Sequence, residues 1–147
     1  MFKTLATAAT TALLMLGGAA VPAVAAAPAA PVTYRAAADT PSEIDVTSAN
    51  YQQVVEYSKT KPVVLDFTAT WCSWCQKQKP YLAQYNKDDK GAWIWARVDA
   101  DTNRDLVRKF KVSGLPTLVN LRNGAEAGSR MEGWDGARAL RTWLNNL

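Results

Sequence analysis

The sequence predicts an α/β layer fold, a central mixed sheet flanked by helices, and two observations carry that expectation. Short apolar, β-branched runs alternate with stretches of helix-forming composition, in the order α, β, α, β, α, β, β, α. The last two strands are joined across Asn123-Gly124, the residue pair of a tight hairpin turn, so a hairpin closes the sheet at one edge. With 147 residues, one domain is expected, and no internal repeat interrupts the order.

The first part of the chain is not ordinary domain sequence. Lys3 supplies a short positive region, and Leu5 to Val24 is uncharged and rich in Ala, Leu and Gly. Ala23-Val24-Ala25 places small residues at the spacing of a signal-peptidase site, so residues 1–26 read as a secretory signal peptide. The competing reading is an uncleaved anchor. Gly17, Gly18, Pro22 and the alanines make that stretch a poor spanning helix. No cysteine follows the cleavage region, which argues against a lipid-anchored form. Residues 27–43, with Pro28 and Pro31, form an Ala/Pro-rich linker. Residues 44–147 are the domain, and the protein is expected outside the cytoplasm, periplasmic or secreted, with no membrane span once the signal is cleaved.

Within the domain, Pro41 to Val46 leads in. Thr47 or Ser48 can cap a helix running to about Thr60, with Tyr51, Val54, Val55 and Ser58 on one side. Lys61-Pro62 ends it. Val63 to Thr68 is apolar apart from Asp66 and suits a central strand. Gln76 to Asn86 has helical composition, with Pro80 inside as a kink. Gly91 breaks that pattern, and Trp93 to Asp99 reads as a second buried strand. Thr102 caps a helix over Asp105 to Phe110, and Thr117 to Leu121 is the third strand. A further strand reaches about Glu132. The last helix spans about Asp135 to Asn145, with Ala139, Leu140, Trp143 and Leu144 as its apolar stripe.

Chemistry concentrates between the first strand and the second helix, in Trp71-Cys72-Ser73-Trp74-Cys75. These are the only cysteines of the chain, and Cys-x-x-Cys serves either as a redox pair or as half of a zinc site. The chain has no histidine. That excludes Ser-His and Cys-His nucleophiles and histidine-bearing metal sites. Two cysteines complete a four-ligand zinc site only with carboxylates or a second chain, so no metal or cofactor is expected. The 17 basic and 13 acidic residues give a net charge of +4. The excess is scattered, so no nucleic-acid surface is read into it.

Cys72 falls at the end of a strand and the start of a helix. Unpaired N–H groups and partial positive charge at a helix start stabilise a thiolate. This predicts an exposed Cys72 that attacks a substrate disulfide and a more buried Cys75 that resolves the mixed disulfide. Asp66 interrupts an apolar strand. It is either a buried acid with a raised pKa, able to take the proton of Cys75, or a strand-end aspartate that caps or faces water. Pro116, at the entry to a strand, reads on its own as an ordinary turn proline in trans. Trp93 and Trp95 share a strand face and read as core, as does Trp143 on the last helix. Trp74 reads as a protein-contact residue or a shield over the cysteines, and Trp134 as a lining residue beside Gly133.

Here the residues reach a resemblance. Val64-Leu65-Asp66-Phe67, Ala69, Trp71-Cys72 and Cys75 resemble the strand and active site of the thioredoxin family, as do Pro80, Gly114-Leu115-Pro116-Thr117, Asn123-Gly124 and Gly133. The domain is similar to thioredoxin and to the thioredoxin-like C-terminal domain of the transmembrane disulfide reductase DsbD, over about Ile44 to Leu147. The resemblance implies a thioredoxin-like fold, Asp66 as the buried acid, a cis Pro116 facing the disulfide, and a substrate groove formed by Trp71, Ser73, Trp74, Leu115, Pro116 and Gly133. Ser73-Trp74 replaces the family's usual Gly-Pro between the cysteines. Arg97 is read as standing where thioredoxin carries a lysine near the buried aspartate; an arginine there favours the carboxylate.

The function expected is thiol–disulfide exchange with protein thiols and disulfides, in the reducing direction. Asp66 and the missing active-site histidine resemble the reductases of the family, and a reductase in an oxidising compartment implies a membrane-bound electron donor. The alternatives are a disulfide oxidant or isomerase, a non-catalytic binding or chaperone module using Trp74, Leu115 and Trp134, and thiolate metal binding by a dimer.

Overall fold

A computed structural model describes residues 40–147. The expected signal peptide and most of the linker lie outside the described residues. The elements are β1 (Glu43–Val46), α1 (Tyr51–Tyr57), β2 (Val63–Thr68), α2 (Ser73–Asp88), β3 (Ile94–Asp99), α3 (Arg104–Lys109), β4 (Thr117–Arg122), β5 (Ala125–Glu126), β6 (Met131–Glu132) and α4 (Ala137–Leu144). The sheet runs β1-β3-β2-β4-β5, with β6 also on β4. Strands β1, β3 and β2 are parallel; β4 is antiparallel to β2, and β5 and β6 are antiparallel to β4.

The two-residue period of the strands sorts the core into two layers. Val63, Leu65, Phe67, Ile94, Ala96, Val98, Val119 and Leu121 face one side and pack with Tyr51, Val54 and Tyr57 of α1, Leu106 of α3, and Phe110. The alternate positions Val64, Trp93, Trp95 and Leu118 face the other side and meet Leu82 of α2 with Leu140 and Leu144 of α4. Asp66 sits between Leu65 and Phe67, so its side chain belongs to the second face, beneath α2. Trp93 and Trp95 are core as expected. Trp143 is only partly buried, and its indole N–H donates to the Ser129 carbonyl at 2.6 Å.

Several element boundaries differ from the sequence-based expectation, each for a local reason. Residues Glu43–Val46 form an edge strand; half of its positions are charged, which hid it. Neither Thr47 nor Ser48 caps α1. Asn50 holds the position without a side-chain cap bond; its amide ties the preceding turn, donating to the Asp45 carbonyl at 2.9 Å and accepting from the Thr47 N–H at 2.8 Å. The Ser48 hydroxyl donates to the Asp105 carboxylate instead. Asn103 rather than Thr102 precedes α3. The last strand is two short pieces, β5 and β6. The hairpin turn has Asn123 at φ 51° and Gly124 at φ 78°, both positive as such a turn requires. Among the described residues, no helix is long and apolar enough to cross a membrane.

Candidate active site

Helix α2 begins at Ser73, three residues earlier than its composition suggests, because Cys72 is its N-cap. The Cys72 Sγ accepts a hydrogen bond from the Cys75 backbone N–H at 3.1 Å. The cap geometry brings the two sulfurs together, and they form a disulfide with a Cα–Cα separation of 5.2 Å. Contrary to expectation, Cys72 is not the exposed partner in this oxidised state. Both cysteines are buried, 5% and 3% exposed, because Ala69 and Leu115 cover them.

The neighbours of the disulfide come from distant parts of the chain. Leu115 packs against Cys72 and Cys75. The Leu115–Pro116 peptide bond is cis. The Pro116 carbonyl accepts from the Gly133 N–H at 2.8 Å, which joins those two residues at one wall. Ser73 is exposed at the first turn of α2. Trp71 and Trp74 are 69% and 52% exposed, the largest apolar surfaces near the motif. The Trp71 indole donates to Asp101 at 2.8 Å. Over the Trp74 ring, the Lys77 ammonium lies 4.2 Å from the centroid. Trp134 stacks on Tyr81 of α2 at 5.4 Å, extending the aromatic surface along the helix.

Asp66 is the buried acid, 4% exposed. Burial pushes its pKa up from 3.8 to about 6, against the indole hydrogen bond of Trp95 and the charges of Arg97 and Lys79, which hold it down. A cavity of about 100 Å³ beside it is lined by Thr68, Ala69, Thr70, Gln76, Lys79, Trp95, Arg97 and Asp99. The residue in contact with the Asp66 carboxyl is Trp95, whose Nε1–H donates to Oδ2 at 3.0 Å. Arg97 is the strand neighbour of Asp66, but its side chain is drawn to the sheet edge. It pairs with Glu43 and Asp45 of β1, each at 2.7 Å. Arg97 thus favours the carboxylate, as expected, but only through its charge at a distance; an uncharged donor, Trp95, holds the carboxyl. Trp95 was classed as core only. Its shared parity with Arg97 along β3 carried the signal, once the β2–β3 register is known.

Among the described residues, no three His, Cys, Asp or Glu side chains converge as a metal site. The arrangement offers a closable sulfur pair at a helix start, a carboxyl that titrates near neutrality, and an apolar rim. The thioredoxin family profile matches residues 42–146. The chain belongs to the thioredoxin family. It is 35% identical over 104 residues to a thioredoxin of Mycobacterium tuberculosis (strain ATCC 25618 / H37Rv), covering 71% of this chain and 88% of that one. It is 36% identical over 104 residues to the bifunctional thioredoxin reductase/thioredoxin of Mycobacterium leprae (strain TN), spanning 71% of this chain and only 22% of that protein. The crystal structure of Fasciola hepatica thioredoxin superposes with a TM-score of 0.63 at 27% identity, over 71% of this chain and 97% of that one. This thioredoxin-family chain is a thiol–disulfide oxidoreductase with a mixed sheet between helices, and its cysteine pair is disulfide-bonded.

Proposed function

We propose that this protein is an exported reductase of protein disulfides in which Cys72 attacks, Cys75 resolves and Asp66 handles the proton. The observation that carries this reading is the Cys72–Cys75 pair at the start of α2, with a buried, near-neutral carboxyl on the strand beneath. In the dithiol form, the Cys72 thiolate attacks one sulfur of a substrate disulfide. A mixed disulfide forms and the other substrate sulfur leaves as a thiolate. Asp66 takes the proton of the Cys75 thiol. The Cys75 thiolate then attacks the Cys72 sulfur, re-forming Cys72–Cys75 and releasing the second substrate sulfur. Two electrons pass to the substrate, and a dithiol donor outside the cytoplasm, held at the membrane, restores the enzyme. Trp71, Ser73, Trp74, Leu115, Pro116 and Gly133 form the surface that receives the substrate chain. The leader in residues 1–26 supports export.

A redox titration of the cysteine pair tests the direction. A potential below about −180 mV supports a reductase, and one well above it assigns the protein to the oxidants or isomerases. Cys75→Ser is expected to accumulate mixed disulfides with substrates, and Cys72→Ser to abolish turnover. Full function in Cys72→Ser would leave the aromatic surface as a binding module instead. N-terminal sequencing of the protein recovered outside the cytoplasm, starting near Ala26, would support export and cleavage.

A further inference from the structure

We propose that Trp95 is a positioning residue for proton transfer at this site: its indole, braced by Arg97, fixes the Asp66 carboxyl so that one oxygen is held and the other receives the proton. This rests on the reading that Asp66 exchanges the proton of Cys75. Four observations converge on it. The Trp95 Nε1–H donates to Asp66 Oδ2 at 3.0 Å, inside the core. The other carboxyl oxygen, Oδ1, is buried and has no partner among the described residues. The Arg97 guanidinium carbon lies 4.8 Å from the centre of the Trp95 ring, and that guanidinium is anchored by Glu43 and Asp45 at 2.7 Å each. Asp66 lines a cavity of about 100 Å³ together with Thr70, Gln76 and Lys79.

The chemistry of the indole explains the choice of residue. Its N–H donates and never accepts, and it does not give up its proton in this range. Oδ2 therefore stays an acceptor in both protonation states, and the proton goes to Oδ1. An uncharged donor orients the carboxyl without locking it as an anion, as a full positive charge at contact would. The charged groups facing Asp66 are Arg97 and Asp99 of β3 and Lys79 of α2. Arg97 is occupied by the two carboxylates of β1. The Trp95 indole is thus the hydrogen-bond partner of the Asp66 carboxyl among the described residues.

Trp95→Phe keeps an aromatic ring in the core and removes the donor. Because the lost bond favours the carboxylate, the Asp66 titration, followed by carboxyl NMR on the oxidised full chain, should move up by about one pH unit. The pH profile of disulfide reduction should move with it. An unmoved Asp66 midpoint overturns the proposal. So does an unmoved profile, provided that Asp66→Asn alters it. If Asp66→Asn leaves the profile unaltered, the proton role of Asp66 fails first, and with it the basis of the proposal. A second measurement leaves Trp95 itself unaltered. In the unmodified protein, the Trp95 indole N–H resonance should shift with pH at the Asp66 midpoint, and the shift should vanish in Asp66→Asn. A flat indole resonance overturns the proposal.

Discussion

Replacing Asp66 by Asn should stabilise the oxidised protein at neutral and alkaline pH and lose that advantage in acid. Burial lifts the Asp66 carboxyl from 3.8 to about 6. The folded state thus holds the proton across a pH range in which the unfolded chain has released it. Stability depends on pH through the difference in bound protons, so it is fully present below 3.8 and declines as pH rises through about 6. Above that point the fold carries a buried carboxylate at a cost of about 3 kcal/mol, the rise of roughly two pH units at about 1.4 kcal/mol each. Asn keeps the shape and an acceptor for the Trp95 indole but carries no charge. The expected gain near pH 8 is therefore about 3 kcal/mol, or roughly 12 °C in Tm for a domain of this size. Urea unfolding of both full-length proteins at a series of pH values between about 4 and 8 measures it. Asp45, whose carboxyl is held low by the Arg97 hydrogen bond, acts in the opposite sense in both proteins and cancels in the difference. Parallel stability curves for the two proteins across this range, or an Asn variant weaker at the alkaline end, would refute the reasoning.

Two other substitutions probe the surface and the hairpin. Trp74→Ala removes an exposed ring, so stability should stay within about 0.5 kcal/mol. Its kcat/KM on a protein disulfide should fall about tenfold, the effect of losing an aromatic anchor, while reduction of a small disulfide stays unchanged. Equal loss on both substrates would remove Trp74 from the contact surface. Gly124→Ala forces a side chain onto φ +78° with its Cβ 3.1 Å from Val55 Cγ1. It should cost about 1–2 kcal/mol in urea unfolding and leave disulfide chemistry intact; an unaltered unfolding midpoint contradicts this.

The parts of the fold that were legible are those where one force dominates. Strands β2, β3 and β4 are mostly apolar, with Asp66, Arg97 and Asn120 as the polar interruptions inside them, because both of their faces are covered. Asn123-Gly124 announces its turn through backbone conformation alone. Strand β1 escaped because Glu43 and Asp45 look outward from an edge, and two alternating residues are too few to show a period. At α2, composition alone marks a helix only from Gln76, yet the reading of Cys72 at a strand end and a helix start is met: Cys72 is the N-cap, a sulfur rather than an oxygen capping the helix. At the site, the cysteines, Asp66 and Pro116 could be named from motif and resemblance. The partner of Asp66 could not, since it depends on the β2–β3 register. That register places Asp66 level with Arg97, yet the Arg97 side chain swings toward β1 and Trp95 reaches the carboxyl. A pairing between strands, unlike a spacing within one, is invisible until the sheet is assembled.

Because β1, β3 and β2 run the same way, the sheet has a foot and a crown. Glu43 opens β1 level with Trp95, which is itself level with Val64. The chain leaves for the cysteines after Thr68, four residues higher on β2, about 13 Å at the usual rise per residue. The domain is thus entered at its foot, while its sulfurs crown the opposite end. An attachment made through the entering strand would therefore meet the domain at the end opposite its sulfurs. It would restrict where the protein can wander without shading what it reacts with.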